Sequence, residues 1–179
     1  MPHTDRAIVR TTQLVSGTGY DDPEPGAVEI ALARLRDGLA IGLAKSFPLL
    51  VPTLNRLSIA THRDHQSVSG PVSSLATRPP VPYASMQYAF PLAQVPDMVR
   101  RLDELIHRHG FRIPFRVLLT VAPADDVYLS TAYRRDTGSI GLAMPRGMDP
   151  RPYFHAAEAL FLEGGGLPLA EVADDLRLP

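Results

Sequence analysis

The segment Ala84–Phe90 reads ASMQYAF, and it decides the fold of the second half of the chain. Every second residue from Met86 to Phe90 is large and apolar or aromatic, and a period of two is typical of a β-strand with one buried face. We predict that these large side chains pack against helices. Ser85 and Gln87 then lie on the opposite face of the sheet.

The residues that follow this strand predict two helices and two further strands. A helix with apolar residues at helical spacing comes next and ends at Gly110. Strands are predicted at Phe115–Ala122 and Ser139–Met144, and Asp149 is predicted to cap a second helix that ends in a run of three glycines. The order strand–helix–strand–strand–helix is that of a split βαβ, ferredoxin-like arrangement. The sequence therefore predicts an α+β fold, with an antiparallel sheet and helices packed on one face.

The first half of the chain has a weaker pattern. A strand is predicted at Ala7–Val15, and a helix is predicted at Ala27–Lys45, where apolar residues recur at helical spacing. The segment Phe47–Leu57 is apolar, but two prolines interrupt it and no element is assigned there. The whole chain, residues 1–179, has the length of a single domain. We expect residues 1–46 to contribute an N-terminal strand and helix to that domain.

The composition excludes several classes of function. The chain has 18 basic and 19 acidic residues and a net charge of −1, so it lacks the broad basic surface that nucleic-acid binding needs. No apolar run is long enough to span a membrane, and no export signal follows Met1. The chain has no cysteine, which excludes disulfides and thiolate metal sites. We therefore expect a cytoplasmic protein without a nucleic-acid or membrane partner.

One spacing is compatible with a metal site. His62 and His65 are separated as two ligands on one helix face would be, and Asp64 lies between them. The surrounding residues are rich in proline and serine, which favours a solvated loop. We predict that no metal is bound.

Three strings in the second half of the chain resemble a known family. They are MQYAFP from Met86, APADDVYLSTAYRRDT from Ala122 and RGMDPRPYFHAAEALFLEGGG from Arg146. They resemble the C-terminal substrate domain, or cap domain, of the aldonolactone and alditol oxidases, which are flavoproteins of the vanillyl-alcohol oxidase superfamily. The resemblance extends more loosely over residues 47–179. It implies the fold of a flavin-oxidase cap domain, in agreement with the α+β arrangement derived above.

The resemblance also implies functional residues that this chain replaces. The family's Glu-x-Arg pair falls on Leu118 and Thr120, and a substrate-side His falls on Ala143. The His and Lys of the family's closing motif fall on Leu169 and Val172. The resemblance further implies a separate FAD-binding module, for which 179 residues leave no room. We therefore expect an apolar pocket and no cofactor.

The resemblance makes the sheet face that carries Gln87 the ligand face. With apolar residues at the family's polar positions, this face is predicted to bind an apolar small molecule. Hydrogen bonds from Gln87 or Thr120 would polarise a carbonyl, and Arg116 would anchor a carboxylate or a phosphate. The candidate catalytic residues are therefore Gln87, Thr120 and Arg116. The candidate substrate-binding residues are Ser85, Leu118, Ala143, Leu169 and Val172.

These features predict a cofactor-independent enzyme. The leading hypothesis is a cyclase or cycloaddition catalyst, an isomerase in the chemical sense, of bacterial polyketide natural-product biosynthesis. Such a catalyst lowers the barrier by holding a flexible substrate in a reactive conformation. Two alternatives are a non-catalytic ligand-binding module and an accessory subunit of a separately encoded FAD-dependent oxidoreductase. An exposed apolar face also favours self-association, so a homodimer is expected.

Overall fold

The computed structural model describes residues 3–4, 27–60, 83–114 and 117–169. The contacts of the chain divide it into two compact units that meet in sequence between Pro82 and Tyr83. The predicted strand at Ala7–Val15 lies outside the described residues, and so do His62 and His65. A single domain over residues 1–179 stays a prediction, and the two units are described in turn.

The first unit contains two helices joined by a short 3₁₀ turn. They are α1 (Ala27–Ser46) and α2 (Val51–Ala60), and the turn covers Pro48–Leu50. The helix predicted at 27–45 is confirmed, whereas α2 contradicts the expectation that no regular element forms there. Pro52 is the second residue of α2, where no intrahelical N–H donor is needed. The prolines therefore begin helical turns instead of interrupting one.

The second unit is a four-stranded antiparallel sheet with two helices. Its elements are β1 (Tyr83–Pro91), α3 (Val95–His109), β2 (Leu118–Ala122), β3 (Thr137–Pro145), α4 (Arg151–Glu163) and β4 (Leu167–Leu169). The spatial order is β2–β3–β1–β4, and all three neighbouring pairs are antiparallel. The predicted α+β class and element order are confirmed, and β4 is an additional edge strand. In the described part of the chain, no helix is long and apolar enough to cross a membrane.

Helices α3 and α4 pack on one face of the sheet, which we call the inner face. Met86, Tyr88 and Phe90 of β1 are buried there, as the alternation predicted, together with Ile140 and Leu142 of β3. Burying one such side chain stabilises the fold by about 1.5–3 kcal/mol. The helices contribute Met98, Leu102, Ile106, Tyr153, Ala157 and Phe161 to the same core.

Glycines end both helices of this unit. Gly110 follows α3 in the left-handed conformation, with a φ of 65°. After α4, the Gly166 N–H donates to the Phe161 carbonyl at 2.8 Å, and the Gly165 N–H donates to the Leu162 carbonyl at 3.0 Å. These two bonds form a Schellman motif, which requires the left-handed conformation found at Gly165, where φ is 71°. The predicted ends of both helices are confirmed.

Asp149 does not occupy the N-cap position that was predicted for it: the first helical carbonyl is that of Pro150, which is the N-cap, and Asp149 lies one residue before it. Its Oδ1 accepts a hydrogen bond from the Arg151 backbone N–H at 3.2 Å and another from the Arg151 Nε at 2.8 Å. The hydrogen bonds from Arg151 hold the pKa of Asp149 below its ordinary value. Both side chains are largely exposed, so this ion pair contributes little to stability.

The loop between β2 and β3 is held together by two carboxylates. Asp125 accepts hydrogen bonds from the Ser130 Oγ at 2.6 Å and from the Val127 N–H at 3.1 Å. Asp136 accepts a hydrogen bond from the Ala124 N–H at 2.9 Å. Asp125 and Asp136 therefore stabilise the backbone of this loop.

One hydroxyl in the core has no hydrogen-bond partner. Tyr153 is 2% exposed, and its ring packs against Phe111 and Phe154. Its hydroxyl oxygen is buried and makes no hydrogen bond within the described residues. Burial raises the pKa of Tyr153, because an apolar environment disfavours the charged form.

Tyr153→Phe is expected to raise the free energy of unfolding by about 1 kcal/mol, because it removes a buried hydroxyl that has no partner. Tyr88→Phe also removes a tyrosine hydroxyl, but this hydroxyl donates a hydrogen bond to Glu158. We therefore expect Tyr88→Phe to lower the free energy of unfolding by about 1 kcal/mol. Urea unfolding of both variants measures the two changes. Equal signs for the two variants would show that the Tyr153 hydroxyl has a partner in solution.

Candidate functional site

The register of the sheet brings residues of all four strands into one row. Gly141 of β3 lies opposite both Gln87 of β1 and Leu118 of β2, and Gln87 lies opposite Leu169 of β4. Directly opposed residues of antiparallel strands point to the same side of the sheet. Leu118, Gln87 and Leu169 therefore share one face, with Gly141 between Leu118 and Gln87.

Neighbouring rows place three more predicted residues on this face, which we call the outer face. Thr120 lies opposite Ser139 in one row, and Ser85 lies opposite Ala143 in another. The outer face points away from α3 and α4, because its residues alternate with those of the inner face. Six predicted site residues lie together on it: Ser85, Gln87, Leu118, Thr120, Ala143 and Leu169.

Two of the predicted site residues, Arg116 and Val172, lie outside the described residues. The same is true of His62 and His65. Within the ranges that the structure describes, no group of three or more histidine, aspartate or glutamate side chains could hold a metal ion.

The outer face is uncharged and mixes apolar with polar side chains, since Leu118, Ala143 and Leu169 lie there with Ser85, Gln87 and Thr120. Leu118 and Thr120 are exposed, Gln87 and Leu169 are half-buried, and no charged side chain of the four described strands points to this side. The Gln87 amide has no hydrogen-bond partner among the described residues. Gly141 leaves a hollow beside it, since a Cβ at Gly141 would lie 3.5 Å from the Leu118 Cβ and 3.8 Å from the Gln87 Cγ. The face therefore offers a shallow surface with two leucines beside the Gln87 amide, and the hydroxyls of Ser85 and Thr120 are further hydrogen-bonding groups on it.

A groove lies beside the outer face, where β4 ends next to β1. Its cavity volume is about 100 Å³, and it is open to solvent. Ser85, Gln87 and Leu169 line it and also belong to the outer face. The groove therefore continues the outer face around the edge of the sheet.

Helix α4 supplies the polar wall of this groove through Arg151, His155 and Glu158. The Tyr88 hydroxyl donates a hydrogen bond to the Glu158 Oε1 at 2.9 Å. Burial, together with the smaller effects of the hydrogen bond to Glu158 and of the Glu158 charge, raises the pKa of Tyr88 to about 12. Sequence reasoning missed this wall, because Tyr88 and Glu158 are 70 positions apart and no local pattern relates them.

The described outer face does not fit flavin-dependent oxidation of a polyol. Removing a hydride from an alcohol needs a proton acceptor near the carbinol, and a reduced flavin is stabilised by nearby positive charge. The positions where the resemblance implies such groups hold Leu118, Thr120, Ala143 and Leu169. None of these four side chains is a base or a cation, so we derive no step through FAD.

The antiparallel sheet and its two helices together define an α+β domain. The family model described as D-arabinono-1,4-lactone oxidase matches residues 1–169, and the chain belongs to that family. The match begins at residue 1, so the relationship includes the N-terminal segment for which the sequence showed no resemblance.

Two curated relatives show how much of the family's length is present. Both are named L-gulono-1,4-lactone dehydrogenase and come from Mycobacterium tuberculosis, strains CDC 1551 / Oshkosh and ATCC 25618 / H37Rv. Each is 28% identical to this chain over 170 residues, which is 93% of this chain and 39% of the relative. The chain therefore spans about two fifths of their length. No solved structure matches it.

Proposed function

We propose that this chain binds an apolar small molecule on the outer face of the sheet and catalyses its cyclisation there without a cofactor. The proposal rests on one observation: six of the site residues predicted from the sequence lie together on the outer face. Leu118 and Leu169 flank the free amide of Gln87 in one row. Such a surface suits a ligand with an extended apolar body and one carbonyl group.

An intramolecular cycloaddition is the reaction that these residues support best. It converts two π bonds of one molecule into two σ bonds, so no atom or electron enters or leaves and no oxidant is required. Holding the two π systems together lowers the barrier through orientation. A hydrogen bond from the Gln87 amide, or from Thr120 in the adjacent row, would polarise a carbonyl conjugated with one of them. A polyene of polyketide origin carries both groups.

A second function is favoured by the coverage of the relatives. The match covers 39% of the length of each relative named L-gulono-1,4-lactone dehydrogenase. In this second proposal the chain is the substrate domain of a flavin-dependent oxidoreductase, and a flavin-binding partner or segment covers the outer face. The replaced residues at Leu118 and Leu169 weigh against it, because they supply no acid–base group.

Gln87→Leu is expected to weaken the binding of a conjugated polyene carboxylic acid, such as a parinaric acid, by about tenfold, because one hydrogen bond to its carbonyl group is lost. The fluorescence of the bound polyene measures the affinity. Gln94→Leu is the matched control, since Gln94 is exposed at the start of α3 and makes no side-chain cap. We expect it to bind like the wild type.

The visible absorption of the same protein separates the two proposed functions. After addition of FAD and removal of the excess, we expect no flavin band to remain. A retained flavin band together with no polyene binding would contradict the cyclase proposal and support the oxidoreductase subunit. Polyene binding that Gln87→Leu and Gln94→Leu leave equally unchanged would show that the ligand does not lie on the outer face.

A further inference from the structure

Strand β2 is an unprotected edge of the sheet. It pairs with β3 on one side, and the described residues place no strand on its other side. All five of its residues are exposed, and its sequence LLTVA contains neither a charge nor a proline. Natural edge strands usually carry charges, prolines or bulges that prevent pairing with another chain. The opposite edge, β4, has such protection, because it is three residues long and contains Pro168.

The side chains of β2 that point to the inner face are also uncovered. Leu119 lies opposite Ile140, which is fully buried, yet Leu119 itself is 48% exposed. Val121 is 65% exposed. Helices α3 and α4 therefore bury the inner face of β1 and β3 but leave that of β2 open. Apolar side chains are left open to water on both faces of the same strand.

We propose that two copies of this chain pair through antiparallel β2 strands about a two-fold axis at Thr120. Each copy then extends the sheet of the other, and neither β2 strand is left as an unpaired edge. In this register Leu119 lies opposite the partner's Val121, and Leu118 lies opposite the partner's Ala122. Thr120 lies opposite its own counterpart.

A second copy of this chain fits the strand in charge and symmetry. A two-fold interface uses the same patch twice, so the patch has to be complementary to itself. Here every cross-strand pair joins apolar with apolar or Thr with Thr, and favourable cross-strand side-chain pairs of this sort stabilise a sheet. The strand carries no charge, so no like charges meet across the axis.

The pairing has a consequence for the outer face, which rests on the proposed function. Leu118 and Thr120 of one copy and the same residues of the other would form one continuous surface across the axis. A ligand longer than the face of one copy would then contact both. The pairing itself rests only on β2, so its failure and the failure of the proposed function are distinguishable.

Val121→Lys is expected to raise the dissociation constant of the dimer by about tenfold, because two buried lysines would flank the axis. Val127→Lys is a matched control, since Val127 is 62% exposed and lies outside β2. Sedimentation velocity over a hundredfold range of concentration measures both. The wild type and Val127→Lys should sediment at twice the chain mass of 19.5 kDa. A monomeric wild type, or equal dissociation constants for the two variants, would overturn the proposal.

A cysteine at the axis tests the register. The natural chain has no cysteine, so a single Thr120→Cys substitution can pair only with its counterpart. Opposed residues of antiparallel strands have Cα atoms about 4.5–5.5 Å apart, within the range that a disulfide spans. Under mild oxidation we expect covalent dimers from Thr120→Cys and few from Val127→Cys. Equal yields from the two variants would show that the copies do not meet at Thr120.

Discussion

Gly166→Ala is expected to lower the free energy of unfolding by about 3 kcal/mol, because the added methyl group has no space. Its Cβ would lie 2.7 Å from the Phe90 Cε1 and Cζ and 2.9 Å from the Phe161 carbonyl oxygen. Both phenylalanines are fully buried and their rings pack edge to face, with centroids 5.5 Å apart. Neither neighbour can move without disturbing the core.

Gly164→Ala is the matched control for this substitution. Its added methyl group would also meet a neighbour, the Met98 Sδ at 2.5 Å, but that atom lies towards the end of a flexible side chain. We expect a loss of about 1 kcal/mol there. Denaturant unfolding of the two variants gives the comparison. Equal losses would mean that the Phe90 ring can move aside, and that the core around Gly166 is looser than the structure describes.

Gly141→Val is expected to weaken ligand binding to the outer face by about a hundredfold while the fold is retained. Gly141 lies between Leu118 and Gln87, and a Cβ there makes only ordinary contacts, at 3.5 Å from the Leu118 Cβ and 3.7 Å from the Leu118 carbonyl oxygen. Glycine inside a strand costs about 0.5–1 kcal/mol, so valine should leave the free energy of unfolding unchanged or higher. The valine side chain would fill the hollow in which we place the ligand.

Ala122→Val is the control for this second substitution, because Ala122 lies on the same face at the far end of β2 and is exposed. Polyene fluorescence measures the affinity of both variants, and thermal unfolding measures their stability. If Gly141→Val binds the polyene with wild-type affinity, the ligand does not lie on the outer face. The proposed cyclisation on that face is then wrong. A strong loss in Ala122→Val as well would place the ligand across the end of β2.

The parts of the fold that were predicted correctly depend on neighbours in the sequence. The alternation around Met86 identified β1 and assigned its two faces, and Gly110 marked a helix end that the structure confirms. These signals are local, because strand period and helix capping involve residues at most a few positions apart. The predicted class and the family followed from them and from the strings that resemble the oxidases.

The parts that were missed depend on what a segment packs against. Pro48 and Pro52 disfavour a helix when the segment is considered alone, yet each lies where a helical turn begins. The β4 strand is three residues long and exists through its pairing with Gln87–Ala89. In each case a distant neighbour decided the outcome, and a linear pattern holds no information about it.

The sequence by itself determined the α+β class, the order of elements in the second half of the chain, the family and the two faces of β1. Only the tertiary structure decided that Gln87, Leu118 and Leu169 share one row, that Tyr88 meets Glu158 and that β2 is left uncovered. The physical reason is that backbone periodicity orients a side chain relative to its own strand. Strand order and register then determine which side chains become neighbours, and these depend on contacts between segments far apart in the chain.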